Sequence, residues 1–176
     1  EIRLSLVGSE MCIRDRSNAG HTKDYASMLS KQIKKEALSL EEALERKLPK
    51  DSKIIYMGWI KSAKVQGYKK ANKKFNIKAV VGVGMVPTGD NEDVVRKKSK
   101  VNDKTPLFTV QGGFNLEKLT GMNKFIMKVM ISASQKYNQL QETSNSDLLN
   151  IMSKGVYTVK LENLAYVLKW YKINER

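Results

Sequence analysis

The chain has 176 residues, long enough for one domain with a buried core, and its 41% hydrophobic content is that of a globular protein. No apolar run approaches the roughly 20 residues needed to cross a bilayer, and nothing in the body of the chain reads as a signal peptide, so the cytoplasm is the expected compartment. The formal net charge of +14 attracts anions of every kind (nucleic acid, anionic lipid, acidic protein) but by itself identifies neither fold nor ligand.

Residues 1–16 stand apart. The run Met11-Cys12-Ile13-Arg14-Asp15-Arg16 resembles a translated sequencing adapter, and the segment is read as an assembly scar preceding the domain of residues 17–176. The only cysteine, Cys12, lies inside it, so disulfides, thiolate metal sites and a cysteine nucleophile are unsupported in the rest of the chain. The acidic and basic residues of 1–16 cancel, which places the whole charge excess downstream.

The stretch Ser17-Asn18-Ala19-Gly20-His21-Thr22 then leads into a segment whose apolar positions, Tyr25, Met28, Leu29 and Ile33, share one helical face. Ala37-Leu38 is at most a short strand. Ser39-Leu40-Glu41-Glu42 has the form of a capping box, opening a helix to about Lys47 that Pro49-Lys50-Asp51 breaks. Ser52 to Trp59, rich in β-branched and aromatic residues and bounded by breakers, predicts a buried strand. A lysine-rich helix is expected next, with Val65, Tyr68, Ala71 and Phe75 as its apolar stripe. Ile77 to Met85 is the next strand, ended by Pro87-Thr88-Gly89-Asp90. Asn91 to Lys98 reads as a short helix, Val101 to Thr105 as a polar connection, and Pro106 to Gln111 as a strand with proline at its tolerated first position.

Gly112-Gly113 turns the chain. Leu116, Leu119, Met122, Ile126, Val129, Met130 and Ala133 are spaced for a long amphipathic helix. Gln139 to Ser146 is polar and loop-like, and Ser146 can cap a helix over 147–153 that Gly155 ends. Leu161, Leu164, Ala165, Leu168 and Tyr171 form the stripe of a last helix. Strands alternating with helices imply a doubly wound α/β domain, a parallel sheet with helices on both faces.

In open sheets of this kind ligands bind beyond the carboxyl ends of the strands, near a topological switch point. Three stretches fall at such ends: Ser17 to Thr22, Gly58-Trp59-Ile60-Lys61, and Gly84-Met85-Val86-Pro87. The first, a small and hydroxyl-bearing loop at a helix start, offers backbone N–H groups and a helix dipole to an anion. Trp59 beside Gly58 suits stacking on a flat ring, core packing under the next helix being the alternative.

Ser17-x-Ala19-Gly20-x-Thr22 resembles the phosphate loop of the flavodoxins, in which Ser/Thr-x-Thr-Gly-x-Thr wraps the phosphate of FMN. Ser17, Gly20 and Thr22 match, while Ala19 replaces a hydroxyl. Ile54 to Ile60 is similar to the strand and loop that carry flavin contacts in such domains. Pro106 to Phe114, with Leu119 and Lys124-Phe125-Ile126-Met127, resembles a subgroup that includes the protoporphyrinogen-oxidase type. The resemblance covers nearly all of 17–176. It implies FMN as cofactor, electron transfer or flavin-dependent oxidoreduction as activity, and a redox partner protein or small-molecule electron acceptor as partner. Typical small flavodoxins are acidic, so the basic charge is a departure.

A flavodoxin-like sheet also needs a central first strand feeding the phosphate loop. Such a strand is buried on both faces and should be nearly continuous Val/Ile/Leu. Arg14, Asp15 and Arg16 stand there instead, at a heavy desolvation cost, so the natural first strand is expected to be missing. This opens an alternative, a defective fragment that binds no cofactor.

Flavin supplies the redox chemistry, so few reactive side chains are needed and no catalytic residue is assigned. His21 is the only histidine, which leaves no multi-histidine metal site, and no metal is expected. Gly82-Val83-Gly84 falls short of a dinucleotide fingerprint. A basic nucleic-acid-binding domain is the rival reading, disfavoured because the aromatics do not interleave with the lysine runs as stacking platforms. An anionic membrane surface stays open as a contact without a membrane span.

Overall fold

A computed structural model describes residues 11–18, 20–49, 51–114 and 156–174. Five strands lie parallel: β1 (Cys12–Arg16), β2 (Ala37–Ser39), β3 (Lys53–Lys61), β5 (Asn76–Gly84) and β6 (Leu107–Gln111). Their spatial order is β2-β1-β3-β5-β6, the flavodoxin-like order, with the switch point between β1 and β3. A two-residue strand, β4 (Lys64–Val65), folds back antiparallel on the end of β3. A second small sheet pairs β7 (Gly113–Phe114) with β8 (Val156–Tyr157).

Helices cover both faces. On one side α1 (His21–Ile33) and α5 (Ala165–Asn174) pack Tyr25, Leu29 and Val167 onto Ile13, Ile55, Met57 and Val81. On the other, α2 (Leu40–Glu45), α3 (Tyr68–Asn72) and α4 (Glu92–Ser99) pack Leu40, Tyr68, Ala71 and Val95 onto Ile54, Tyr56 and Val80. The expected doubly wound α/β architecture is the one the chain adopts. Its middle strands, β3 and β5, carry the long apolar runs that burial on both faces demands. The capping box is complete: Ser39 Oγ accepts from the Glu42 N–H at 3.1 Å and Glu42 Oε2 from the Ser39 N–H at 2.9 Å.

The expectation of a missing first strand is corrected in one respect. Its place is taken by Cys12–Arg16, which pairs with β2 on one side and β3 on the other. What the strand lacks is the apolar sequence of its position. Arg14 is 2% exposed and Asp15 6%, while Met11 and Ile13 supply the apolar contacts. Residues 12–16, set apart by sequence, thus hydrogen-bond in the middle of the sheet.

The helix expected across Val65, Tyr68, Ala71 and Phe75 is also corrected. All four side chains are buried in one cluster, but Val65 belongs to β4, and α3 is only five residues long. The chain leaves β3 through Ser62 and Ala63, both left-handed (φ 50° and 58°), which is the backbone of a tight hairpin. The last helix expected from Leu161 onward begins only at Ala165, after a 3-10 turn over Leu161–Leu164; Leu164, Val167, Leu168 and Tyr171 face the core, whereas Leu161 and Ala165 are exposed. The expected helices over 116–133 and 147–153, and the loop between them, lie outside the described residues.

Candidate functional site

The loop from β1 to α1 is shaped by Gly20, the residue preceding the helix, whose φ of 92° is one that L side chains rarely adopt. The Gly20 N–H donates to Ser17 Oγ at 3.0 Å, closing the loop on itself. No side chain caps the helix start, so the dipole of a 13-residue helix points at this loop without a built-in acceptor. Beside it, the Asn18 side-chain amide nitrogen is buried with no hydrogen-bond partner. A buried donor of this kind is rare, because leaving it unpaired costs about 1–3 kcal/mol. Thr22 and His21 are both buried, at 1% and 6% exposure. His21 meets the ring of Tyr157 edge to face, centroids 5.4 Å apart, so it is not a solvent-exposed residue of the helix start.

The second stretch, Gly58-Trp59-Ile60-Lys61, is not a loop. It is the end of β3, running on into the β3–β4 hairpin. Gly58 lies opposite Arg16 in the β1–β3 register, hence next to the first loop. Its α2-side face is closed: a methyl there would come 2.6 Å from Val65 Cγ1 and 2.7 Å from the Gln66 carbonyl. Ile60 is spent on the same side, its Cδ1 lying 2.8 Å from where a Gly82 methyl would sit. Trp59 alternates to the other face, the one that α1 covers, and is half-buried opposite Val83. Lys61 is exposed. Of this stretch only Trp59 keeps the position that ring stacking needs.

The third stretch is a loop. Met85 is 53% exposed, Pro87 is exposed, and Gly84 and Val86 are half-buried. The Gly84 carbonyl accepts from the Gly112 N–H at 2.8 Å, and the Gln111 N–H donates to Thr88 Oγ1 at 3.1 Å. Gly112 is the link between this loop and the first. A methyl on it would collide with Val83 and come 3.3 Å from His21 Cβ. Read in sequence only as a turn, Gly112 brings the end of β6 against the start of α1. The one signal for it is a glycine pair directly after a buried strand. Ala19 lies outside the described residues.

Burial governs the charges below the loop. It holds the Arg14 guanidinium below its ordinary pKa and pushes the Asp15 carboxyl up to about 6, against the opposing pull of Lys23. Arg14 Nη1 donates to the Ile13 carbonyl at 2.7 Å, but its Nε has no partner. Arg16 reaches solvent and approaches Glu41 at 3.9 Å, an exposed pair of little energetic weight. Tyr25 joins the elements behind the site: its hydroxyl donates to the Gln111 carbonyl and accepts from Asn163 Nδ2 at 2.6 Å. Among the described residues no group of His, Cys, Asp and Glu could hold a metal ion, and no helix is long and apolar enough to cross a membrane.

Strand order and loops together define an α/β doubly wound protein whose β1/β3 switch point carries an uncapped helix start, the place where such folds bind ligands. No family model, curated protein or solved structure matches the chain.

Proposed function

We propose that the chain is an FMN-binding redox protein, acting in electron transfer or as a flavin-dependent oxidoreductase. The observation that carries the reading is the unpartnered Asn18 amide beside the uncapped start of α1, a donor set that suits a phosphate monoester. The resemblance of Ser17 to Thr22 to the flavodoxin phosphate loop names the ester as FMN. The residues fit the group: Asn18 and the first turn of α1 would hold the phosphate, and Ser17 would keep the loop closed through Gly20. Trp59 and the Gly84–Pro87 loop, at neighbouring strand ends, would flank the ring. FMN, once bound, supplies the one- and two-electron chemistry. The protein's share is binding, orientation and exclusion of water, and no side chain need act as acid or base.

The test is an FMN titration followed by flavin fluorescence, on this chain and on Asn18→Ala and Gly20→Ala variants. Loss of a charge-assisted hydrogen bond or of the left-handed turn should weaken binding by about tenfold or more. Unchanged affinity in both variants would count against the loop, and binding by neither the parent chain nor the apolar-strand version below would remove the FMN reading. A version with an apolar first strand (Arg14→Val, Asp15→Val), run in parallel, tests the alternative of a defective fragment. Binding by that version alone would mean that the charged strand disables the site.

A further inference from the structure

Away from the crevice, a cavity of about 810 Å³ opens between the β4 hairpin, α3 and the C-terminal end of α4. Lys64, Lys69, Lys70, Lys73, Lys98 and Lys100 line it, and none of the lining residues is acidic. The ion pairs among the described residues, Arg16–Glu41 and Arg46–Glu36, involve none of these six lysines. We propose that this groove docks the acidic face of an electron-transfer partner protein, an inference that rests on the redox function proposed above.

Three features support a built surface over a chance run of lysines. The walls are fixed to each other, since the Val65 N–H donates to Ser99 Oγ at 2.9 Å and so pins the hairpin to the end of α4. Lys64 is carried to the groove's edge by the β3–β4 hairpin, so lysines from the hairpin, α3 and the end of α4 meet at one place. The groove also adjoins the crevice. Gly67, on its wall, is so close to the end of β1 that a methyl there would come 2.9 Å from Arg16 Cδ, and Arg16 directly precedes Ser17.

The chemistry of the lining selects among polyanions. The groove's only aromatic ring, that of Tyr68, is 4% exposed and offers no face on which a base could stack. Val65, its only aliphatic side chain, is 5% exposed, so nothing apolar projects to enter a lipid surface. Recognition by charge without apolar anchors is that of small, transient, electrostatically steered complexes, a class that includes electron-transfer encounters.

The experiment measures binding of a labelled acidic [2Fe–2S] ferredoxin to the FMN-loaded full chain by fluorescence anisotropy across a salt series. Two triple variants of equal net charge are compared. One reverses the groove (Lys64→Glu, Lys69→Glu, Lys73→Glu) and the other reverses exposed lysines elsewhere (Lys31→Glu, Lys169→Glu, Lys172→Glu). The groove variant should bind roughly tenfold more weakly at low salt and the control less than about threefold, with the difference shrinking as salt rises. Equal losses in both would overturn the proposal, since net charge alone would then explain binding. Tighter, groove-dependent binding to a single-stranded oligonucleotide or to phosphatidylserine vesicles than to the ferredoxin would also overturn it. FMN titrations on the same samples separate the two readings. If no flavin binds yet ferredoxin binding still requires the groove, the redox function falls and the acidic-protein docking surface stands.

Discussion

Arg14 lies directly opposite Tyr56 in the parallel register of β1 and β3, so a guanidinium and a phenol share the buried sheet face under α2. The phenol is of no use to the guanidinium. Its hydroxyl donates to the Gln66 carbonyl at 2.7 Å, holding the chain just beyond β4, and burial raises its pKa. Arg14 is left with one backbone acceptor, the weak acceptor of the Cys12 thiol, and an unpaired Nε. Replacing a poorly satisfied buried cation by an apolar side chain of similar length should therefore stabilise the fold. Arg14→Met is expected to add about 1–3 kcal/mol, read as a higher urea midpoint at unchanged slope.

Asp15 makes stability depend on pH. Its carboxyl is held at about 6 in the folded chain against an ordinary 3.8, with burial the main cause. The folded state therefore binds this proton more tightly than the unfolded state. Its contribution is fully present below about pH 4 and is lost as pH rises through about 6, a change on the order of 2–3 kcal/mol. Urea unfolding of the parent and of Asp15→Asn across pH 4–7 should show this fall in the parent and its absence in the variant.

Tyr25 ties α1 to the end of β6 and to the segment before α5, through Gln111 and Asn163. Tyr25→Phe removes the hydroxyl but leaves Asn163 donating to the Gln111 carbonyl at 3.2 Å and to the Thr158 carbonyl at 3.0 Å. Because those acceptors stay paired, the loss should be modest, about 1 kcal/mol by urea unfolding. A loss several times larger would show that the hydroxyl also holds α5 on the sheet.

Much of this fold could be read in the sequence because several segments are locally consistent. The β-branched runs of β3 and β5, the Ser39–Glu42 box and the proline before β6 each point the same way at every level. Two segments could not be read. β1 has charges where a buried strand should be apolar, and only its pairing with β2 and β3 makes it a strand. The hairpin was hidden because Ser62 and Ala63 are not the Asn-Gly that such a turn prefers, while Val65, Tyr68 and Ala71 sit at helix-like spacing by coincidence. At the candidate site, the loop of Ser17 to Thr22 was visible from its composition. The contribution of Gly112 was not, because it depends on a neighbour 91 residues away in sequence, His21.

The charged first strand has a consequence for how this sheet breathes. Central strands are ordinarily the last to open, and edges fray first. Here the strand joining β2 to the rest has a buried guanidinium between Leu38 and Tyr56 and a buried carboxyl between Ser39 and Met57. Opening should therefore begin along the inner seam between β1 and β3, splitting the sheet from within. Amide hydrogen exchange would register this as an inverted order, with Arg14 and Asp15 exchanging well before Val80 and Val81. Arg14→Met would restore protection to the seam and, with it, to the loop that the seam feeds.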